Sequence, residues 1–339
     1  MLRVLLWPAS ILFQGIALVR ARLYDSGRLR RRRLGGRVLS VGNLTVGGTG
    51  KTPMVLWLAD RLCAEGKRVA ILTRGYPSGG RSEERGMVMS DEVALLRNRL
   101  SGKVQFGVGR NRYEKGRVLE RHGVEWFILD DGFQHFRLAR DVDIVLIDAT
   151  DPFGGGRLLP AGRLREPRSA LARADVIVIT RSAHAPAVET VVRRYAASPI
   201  FYAQTALNAL RAFSETGQPS RPATLDCHAL IFFAFCGIGN PQAFFEDLRR
   251  WGIAVVGKAA YPDHHRYSER DAESLEALAV SAGAGALLCT EKDTHNLRQT
   301  SFRMLPLFYC EIALHISNEE EFWRAVVEKA ERSRARAGS

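Results

Sequence analysis

The sequence has few cysteines, and their spacing suggests neither disulfide pairs nor a metal site. No two of the 5 cysteines lie at CxxC spacing; they are Cys63, Cys227, Cys236, Cys289 and Cys310. An odd, scattered set argues against a disulfide framework and against a zinc site. We therefore expect a reducing compartment in which most of these cysteines serve as small core residues.

The sequence also lacks a long uninterrupted apolar run. Its most apolar stretch is Val4–Val19, and three residues interrupt it: Pro8, Ser10 and Gln14. A helix that spans a bilayer needs about 20 apolar residues. A basic stretch beginning at Arg20 follows in place of a small-residue cleavage site, which argues against a cleaved signal peptide. Two interpretations stay open: a buried core helix, and a helix seated shallowly in a membrane.

Acidic residues are outnumbered by basic ones. The chain has 36 Asp and Glu against 49 Lys and Arg, a formal net charge of +13. This surplus favours a polyanionic partner: nucleic acid, an anionic membrane or a phosphorylated substrate. Arginines cluster just after the apolar stretch, at Arg28, Arg30, Arg31, Arg32, Arg33 and Arg37. Such charge beside an apolar helix favours the cytoplasmic face of a membrane, with a solvated linker as the alternative.

Short apolar runs alternate with helical stretches through the first two thirds of the chain. The runs are Val38–Val41, Val69–Thr73, Trp126–Leu129, Ile144–Ile147 and Val176–Ile179. This alternation is typical of a parallel sheet covered by helices on both faces. Together with the glycine-rich loop Gly47-Gly48-Thr49-Gly50-Lys51-Thr52 that follows the first run, it predicts an α/β fold of the P-loop NTPase type. We expect a doubly wound, mostly parallel sheet, a second smaller α/β domain and an N-terminal membrane-associated helix.

Composition shifts toward Ser, Thr, Pro and Gly between Gln204 and Thr224, which indicates a domain boundary. We predict four segments: residues 1–25 as the N-terminal helix, 26–204 as the P-loop core, 205–312 as the smaller domain, and 313–339 as a C-terminal helix with a loose tail. In the smaller domain the patterns predict strands at Ala229–Phe235 and Ala286–Thr290 and helices at Pro241–Arg250 and Ser268–Val280. The loose tail is Ser333–Ser339.

The strongest motif is a glycine-rich loop between a strand and a helix. It reads Gly47-Gly48-Thr49-Gly50-Lys51-Thr52. Glycines let backbone N–H groups wrap a phosphate, and the following helix adds partial positive charge. Lys51 would reach the β- and γ-phosphates and Thr52 would bind Mg²⁺. The predicted ATP-binding residues are Thr45, Val46, Gly47, Gly48, Thr49, Gly50, Lys51 and Thr52, with Thr45 standing where the strict motif has glycine.

An apolar strand that ends in two aspartates supplies a second part of a nucleotide site. Trp126–Leu129 is followed directly by Asp130 and Asp131. One or both carboxylates would hold Mg²⁺, together with Thr52. Without the glycine-rich loop, the same pattern would indicate an ordinary strand end with a capping aspartate.

Six ordered blocks carry a family resemblance. They are Ser40–Pro53, Thr73–Tyr76, Asp130–His135, Gly162–Pro167, Phe235–Pro241 and Thr290–Asp293. Together they resemble the tetraacyldisaccharide 4'-kinase family, the lipid A 4'-kinases, from about the N-terminal helix to the last strand. The resemblance implies that a threonine at the position of Thr45 is the family's own form of the loop.

The resemblance implies a specific reaction. ATP would donate its γ-phosphoryl group to the 4'-hydroxyl of a tetraacylated glucosamine disaccharide 1-phosphate, giving the bis-phosphorylated lipid A precursor of lipopolysaccharide. It also implies a monotopic protein on the cytoplasmic face of the bacterial inner membrane. The expected cofactors are ATP and Mg²⁺. The expected partners are the glycolipid and an anionic membrane surface, with no nucleic acid and no obligate protein partner.

The family uses an Asp in a Ser-Asp-Glu-Pro block and a His in a Phe-x-Asp-His block as a pair. The matching residues here are Asp91, as base, and His264, as its partner, although Val93 and Tyr261 depart from the family pattern. Neither departure changes a group that handles a proton. Two alternatives remain: Asp91 as a helix cap, and His265 in place of His264.

The matched blocks also supply candidates for substrate or phosphate contacts. They are Arg74, Gln134, His135, Arg163 and Glu166, together with Arg165. Guanidinium groups suit phosphate recognition, but in so basic a chain any one arginine can also be a surface residue. In Thr290–Asp293 a loop with a structural ion pair is favoured over a base-reading loop.

Two other functions share some of these features. A membrane-associated ATPase or GTPase switch would have the loop and the Mg²⁺ carboxylates but transfer nothing to a lipid. A nucleic-acid-binding ATPase would fit the charge, yet the sequence has no recognition motif of that kind, and its arginines cluster beside the apolar helix.

Overall fold

A computed structural model describes residues 6–75, 90–213, 230–297 and 300–338 of the protein. These residues form two compact units. The described parts of 6–75, 100–204 and 314–338 make the first unit, and those of 90–99, 205–213, 230–297 and 300–313 make the second. Cys227 and Tyr76, which we used in the sequence analysis, lie outside the described residues.

The first unit is built on parallel strands. Its strands are β1 (Arg37–Asn43), β2 (Val69–Thr73), β3 (Gln105–Val108), β4 (Trp126–Asp130), β5 (Val142–Asp148), β6 (Val176–Thr180) and the start of β7 (Ile200–Ala212). Its helices are α1 (Trp7–Asp25), α2 (Lys51–Ala64), α4 (Arg112–Arg121), α5 (Pro186–Arg193) and α8 (Glu319–Gly338). The strand order is β3-β2-β4-β1-β5-β6-β7, and each of these pairs is parallel.

Continuous apolar sequence explains the central strands. Every residue of β2, β4, β5 and β6 is buried. Helices cover a sheet of this kind on both faces, so its strands need no polar alternation. Large side chains such as Phe127 and Phe133 are completely buried in the core, and each contributes about 1.5–3 kcal/mol by leaving water. The predicted P-loop-type α/β fold is confirmed.

The strand order reverses at β1. The chain places β2, β3 and β4 on one side of β1 and β5, β6 and β7 on the other. In open parallel sheets this reversal leaves a crevice at the carboxyl ends of the central strands, where ligands bind. The residues that follow β1 and its neighbours β4 and β5 are therefore candidates for a site.

The second unit is a smaller α/β unit. Its strands are β8 (Phe232–Cys236), β9 (Val255–Ala260), β10 (Ala286–Thr290) and the start of β11 (Leu307–Ile316), in the order β11-β10-β8-β9. All three pairings in this order are parallel. Its helices are α3 (Asp91–Arg99), α6 (Pro241–Arg250) and α7 (Glu269–Ser281), and a 3-10 turn spans Asp293–His295. A capping box between Ser268 and Asp271 begins α7.

Two stretches depart from the sequence expectations. Residues 90–99, which we placed in the P-loop core, lie in the second unit; the domain limits themselves stay a prediction. The tail from Ser333 was expected to be loose; in the structure α8 continues to Gly338. At its start Ser333 donates a hydrogen bond to Asp141 at 3.1 Å and Arg334 donates to the carbonyl of Leu34 at 3.0 Å.

Helix α1 attaches to the first unit by one face only. Ser10 Oγ donates to the carbonyl oxygen of Leu158 at 3.1 Å, and Tyr24 stacks on Phe136 with ring centroids 5.5 Å apart. An apolar stripe remains exposed, formed by Ile11, Leu12, Ile16 and Val19 at 50, 67, 60 and 55%. The helix is therefore not a core helix. In the described residues no helix has the length and apolarity needed to cross a bilayer.

Candidate active site

The loop between β1 and α2 has the geometry of a phosphate cradle. Gly47 and Gly50 adopt positive φ angles of 122° and 87°, a backbone region that residues with a side chain rarely enter. Helix α2 begins at Lys51 with no side-chain cap on its N-terminus, so backbone N–H groups there remain to bind an anion. The hydroxyl of Thr49 is buried and has no hydrogen-bond partner within the described residues, as expected for a group that awaits a ligand.

Three charged residues meet beside this loop. Arg165 donates hydrogen bonds to both carboxylate oxygens of Asp131, each at 2.8 Å. The ammonium of Lys51 lies 3.6 Å from Asp131 Oδ1 and 3.3 Å from Asn43 Oδ1. Burial alone would raise the pKa of the Asp131 carboxyl, but the hydrogen bonds and charge of Arg165, with the charge of Lys51, hold that pKa well below its ordinary range. Asp131 is therefore ionised at neutral pH.

The proposed magnesium ligands are hard oxygen donors. Asp130, at the end of β4, is buried, and its Oδ2 accepts a hydrogen bond from Thr73 at 3.2 Å. Its partner on the adjacent strand is Val41 of β1, two residues before the end of that strand. Thr52 is also buried, in the first turn of α2. A hydroxyl and carboxylates at the carboxyl edge of the sheet fit Mg²⁺, which prefers few protein oxygen ligands besides substrate phosphates.

A short antiparallel segment supports the loop. The N–H of Val46 donates to the carbonyl of Arg163 at 2.7 Å, and the N–H of Arg165 donates to the carbonyl of Leu44 at 2.7 Å. From the far side, Thr180 at the end of β6 donates to the carbonyl of Thr49 at 3.1 Å. The backbone hydrogen bond from Arg165 to Leu44 holds Arg165 next to the end of β1. From this position its side chain reaches Asp131.

Several predicted contact residues already have protein partners. Arg163 binds Asp151 at 2.8 Å and the carbonyl of Val46 at 3.0 Å, and Gln134 donates to the carbonyl of Asn43 at 3.0 Å. Glu166 is buried and paired with both terminal nitrogens of Arg173 at 2.8 and 3.0 Å. These contacts hold the loop and its support in place; Arg74 lies just after β2 at the same edge.

His135 lies in a basic environment. Arg112 donates to its Nδ1 at 3.3 Å. Burial, with the charges of Arg112 and Arg140, lowers the pKa of His135 to about 4. The imidazole is therefore neutral at physiological pH, which agrees with its accepting a hydrogen bond from a guanidinium that has no acceptor atoms.

In the second unit the structure brings together the predicted acceptor-side pair. His264 Nδ1 lies 3.0 Å from Asp91 Oδ2. Asp91 is 5% exposed at the start of α3, and His264 has the positive φ of 60° that non-glycine residues rarely adopt. Burial would raise the pKa of Asp91, but hydrogen bonds from His264 and Asn296 lower it overall. The hydrogen bond to Asp91 in turn raises the pKa of His264.

The alternatives for this pair can now be compared with the structure. The side chain that accepts from the N–H of Val93 belongs to Ser90, at 3.4 Å, and Asp91 instead faces His264. His265 Nε2 lies 3.3 Å from Asp271 Oδ2, in the capping box of α7. The contacts thus favour His264 over His265 as the partner of Asp91.

Sequence reasoning did not single out several residues that organise these sites. Asn43 in the first unit contacts Lys51 and Arg165. Asn296 in the second unit donates to Asp91 at 2.8 Å. Asn43 lies inside a matched block and Asn296 lies three residues after one. A single asparagine has no sequence pattern of its own, so only its contacts in the structure identify its role.

Known proteins share this architecture and these blocks. A family model described as tetraacyldisaccharide-1-P 4'-kinase, LpxK, matches residues 2–331. The tetraacyldisaccharide 4'-kinase of Geobacter sulfurreducens is 41% identical over 321 residues, covering 90% of this chain and 87% of the relative. That of Halothermothrix orenii is 37% identical over 320 residues, covering 86% and 83%.

A solved structure agrees with these relatives. The crystal structure of LpxK from Aquifex aeolicus in complex with ATP is 32% identical to this chain. It superposes with a TM-score of 0.72 and covers 97% of this chain and 99% of its own. Matches of this extent show that the chain belongs to the tetraacyldisaccharide-1-P 4'-kinase family.

Proposed function

We propose that this protein transfers the γ-phosphoryl group of ATP to the 4'-hydroxyl of a tetraacylated glucosamine disaccharide 1-phosphate. The product is the bis-phosphorylated precursor of lipid A in lipopolysaccharide biosynthesis. The observation that carries the proposal is the glycine loop before α2, whose N-terminus has no side-chain cap, with Lys51 beside Asp131. The chain belongs to the tetraacyldisaccharide-1-P 4'-kinase family. ATP as donor is supported by the ATP complex of the Aquifex aeolicus protein.

On the nucleotide side, the backbone of residues 45–52 wraps the phosphates and Lys51 neutralises charge on the migrating group. Arg165 holds both oxygens of Asp131, which favours Asp130 and Thr52 as the direct metal ligands. Asp131 then acts by holding Lys51 and Arg165 in position. Mg²⁺ bound there would neutralise phosphate charge. Arg74 and His135 stay predicted contacts.

On the acceptor side, Asp91 takes the proton and His264 supports it. The 4'-oxygen forms a bond to the γ-phosphorus while the bond from that phosphorus to the bridging oxygen of ADP breaks. The hydroxyl proton passes to the Asp91 carboxylate, which its lowered pKa keeps ionised at neutral pH. A sugar hydroxyl is a poor nucleophile, so a positioned base accelerates transfer by about 10²–10⁴-fold.

The glycolipid and the product lie in a membrane, and α1 suits contact with it. Its exposed apolar stripe is followed by exposed arginines, among them Arg28 and Arg30. Such a helix lies in the interface with its apolar side toward the acyl chains and basic residues near anionic headgroups. We propose the cytoplasmic face of the bacterial inner membrane as the place of action.

The experiment is direct. The protein is incubated with ATP, Mg²⁺ and the disaccharide 1-phosphate lipid in detergent, and the lipid is analysed by mass spectrometry for the gain of one phosphoryl group. Lys51→Ala should nearly abolish the gain, whereas the exposed control Lys67→Ala should retain it. ATP hydrolysis that is independent of the lipid, with no phosphorylated product, would overturn the proposal in favour of an ATPase switch.

A further inference from the structure

Asp91 receives two hydrogen bonds on one oxygen. Its Oδ2 accepts from Asn296 Nδ2 at 2.8 Å and faces His264 Nδ1 at 3.0 Å. Two donors that converge from different loops fix both the position of that oxygen and the plane of the carboxylate.

The backbone holds Asn296 in place without using its amide side chain. The N–H of Asn296 donates to the carbonyl of Asp293 at 2.9 Å, and its own carbonyl accepts from the N–H of Tyr267 at 3.3 Å. Asp293 is 1% exposed and accepts from the N–H of Gly237 at 2.7 Å and the hydroxyl of Tyr267 at 2.9 Å. The Asn296 amide is thus presented on a rigid turn and remains available to Asp91.

Two ion pairs connect the turn that carries Asn296 to α3, the helix that carries Asp91. Lys292 pairs with Glu92 at 2.8 Å, and Arg99 at the far end of α3 pairs with Glu291 at 2.9 Å. The carbonyl of Gly237 also accepts from the N–H of His264 at 3.0 Å. Residue 237 therefore connects the loop of His264 to Asp293, and through Asp293 to the turn of Asn296.

We propose that Asn296 is a positioning residue for the phosphoryl transfer: with His264 it holds the Asp91 carboxylate in the orientation that accepts the proton of the sugar hydroxyl. The inference rests on the proposed function, in which Asp91 is the base. Asn296 touches no reacting atom in this role and acts only through Asp91.

The charge of Asp91 depends on the same contacts. A donor to a carboxylate stabilises its ionised form and lowers its pKa, so removing the donor raises that pKa. Among the described residues, the groups that act on Asp91 include His264, His295 and the amide of Asn296. Asp263 and Lys292 act in turn on His264. The acidic limb of the pH–rate profile belongs to this coupled set, and the loss of Asn296 should move it upward.

Asn296→Leu removes the amide with little change of shape, and Asn296→Ala does so by truncation. The matched control is Asn208→Leu, which removes an amide that donates to Glu311 at 2.5 Å in the same unit. Single-turnover rates are measured from about pH 3 to 9 at saturating ATP, so that the range extends below the ordinary carboxyl pKa. The Asp91 carboxyl carbon, assigned by its absence in Asp91→Asn, is titrated by NMR without substrate.

The expected result is an acidic limb and an Asp91 titration that both move up by about one pH unit in the Asn296 variants, with the control at the wild-type position. Asn296→Gln, which keeps an amide donor, should recover part of the shift. Wild-type curves in folded Asn296→Leu or Asn296→Ala would overturn the inference. A wild-type protein that yields no phosphorylated lipid would overturn the proposed function instead, while the NMR titration still decides whether Asn296 controls Asp91.

Discussion

Arg165 grips both carboxylate oxygens of Asp131 at 2.8 Å while Lys51 lies 3.6 Å from one of them. The lysine of the phosphate loop is thereby held in place by a fixed negative charge before any phosphate is bound. A bidentate guanidinium–carboxylate pair is geometrically stiff, so Asp131 cannot swing away with Lys51. The pair therefore fixes the position of the carboxylate that Lys51 faces.

Replacing Arg165 should therefore weaken catalysis through Lys51. We expect Arg165→Ala to lower kcat/KM for ATP by about 10²-fold or more, as for the loss of a preorganised charged contact. Arg193→Ala, which breaks an exposed pair with Glu189, serves as control. Steady-state kinetics with varied ATP measure the effect, and unchanged kcat/KM in a folded Arg165→Ala protein would refute this role.

The effect of Arg165→Ala on thermal stability should depend on pH. The pKa of Asp131 is depressed in the folded protein, so its ionised form stabilises the fold above the ordinary carboxyl pKa of about 4. That contribution disappears as pH falls through the depressed folded value. The Tm difference between wild type and Arg165→Ala should be present at pH 7 and shrink below about pH 4.

Asp91 and His264 should act as a unit. Asp91→Ala should cut the single-turnover rate by about 10²–10⁴-fold with little change in ATP affinity. The double variant with His264→Ala should cost much less than the product of the two single effects, because removing one member already disables the other. A destabilised Asp91→Ala enzyme that transfers phosphate at the normal rate would show that the carboxylate is structural only.

His135 should remain uncharged down to mildly acidic pH. Its pKa is lowered to about 4 in the folded state, below the ordinary value of about 6.5. Between these values the unfolded chain binds the extra proton, so this residue makes stability rise with pH across that window. His135→Asn should flatten that part of the Tm–pH curve. NMR of the wild-type imidazole should show no titration from pH 5.5 to 8.

The apolar stripe of α1 should determine binding to lipid. We expect Leu12→Glu with Ile16→Glu to reduce co-sedimentation with anionic phosphatidylglycerol vesicles several-fold, because each charge opposes burial among acyl chains. The control is Val118→Glu on α4, an apolar side chain that is also exposed, at 51%. Equal loss in the control, or none in the α1 variant, would place the membrane contact elsewhere.

Local sequence predicted those elements whose pattern is unambiguous. The bounds expected for Val69–Thr73, Pro241–Arg250 and Ala286–Thr290 are those of the structure. Strand β9 (Val255–Ala260) was not predicted, because its glycine, its lysine and its largely exposed residues give no buried-strand pattern. Its pairing with β8, which no local signal encodes, is what makes it a strand.

The sequence by itself determined the chemistry of this protein. The glycine loop, the paired aspartates at the end of β4 and the ordered family blocks are defined by residue type and spacing along the chain. Both can be read without a structure. The tertiary structure alone decided which partners these groups have. It pairs Asp131 with Arg165 and Glu166 with Arg173. It also places Asn296 beside Asp91, 205 residues away in sequence. The physical reason is that a hydrogen bond depends on distances and angles of a few ångströms, which only the packing of strands, helices and turns can set.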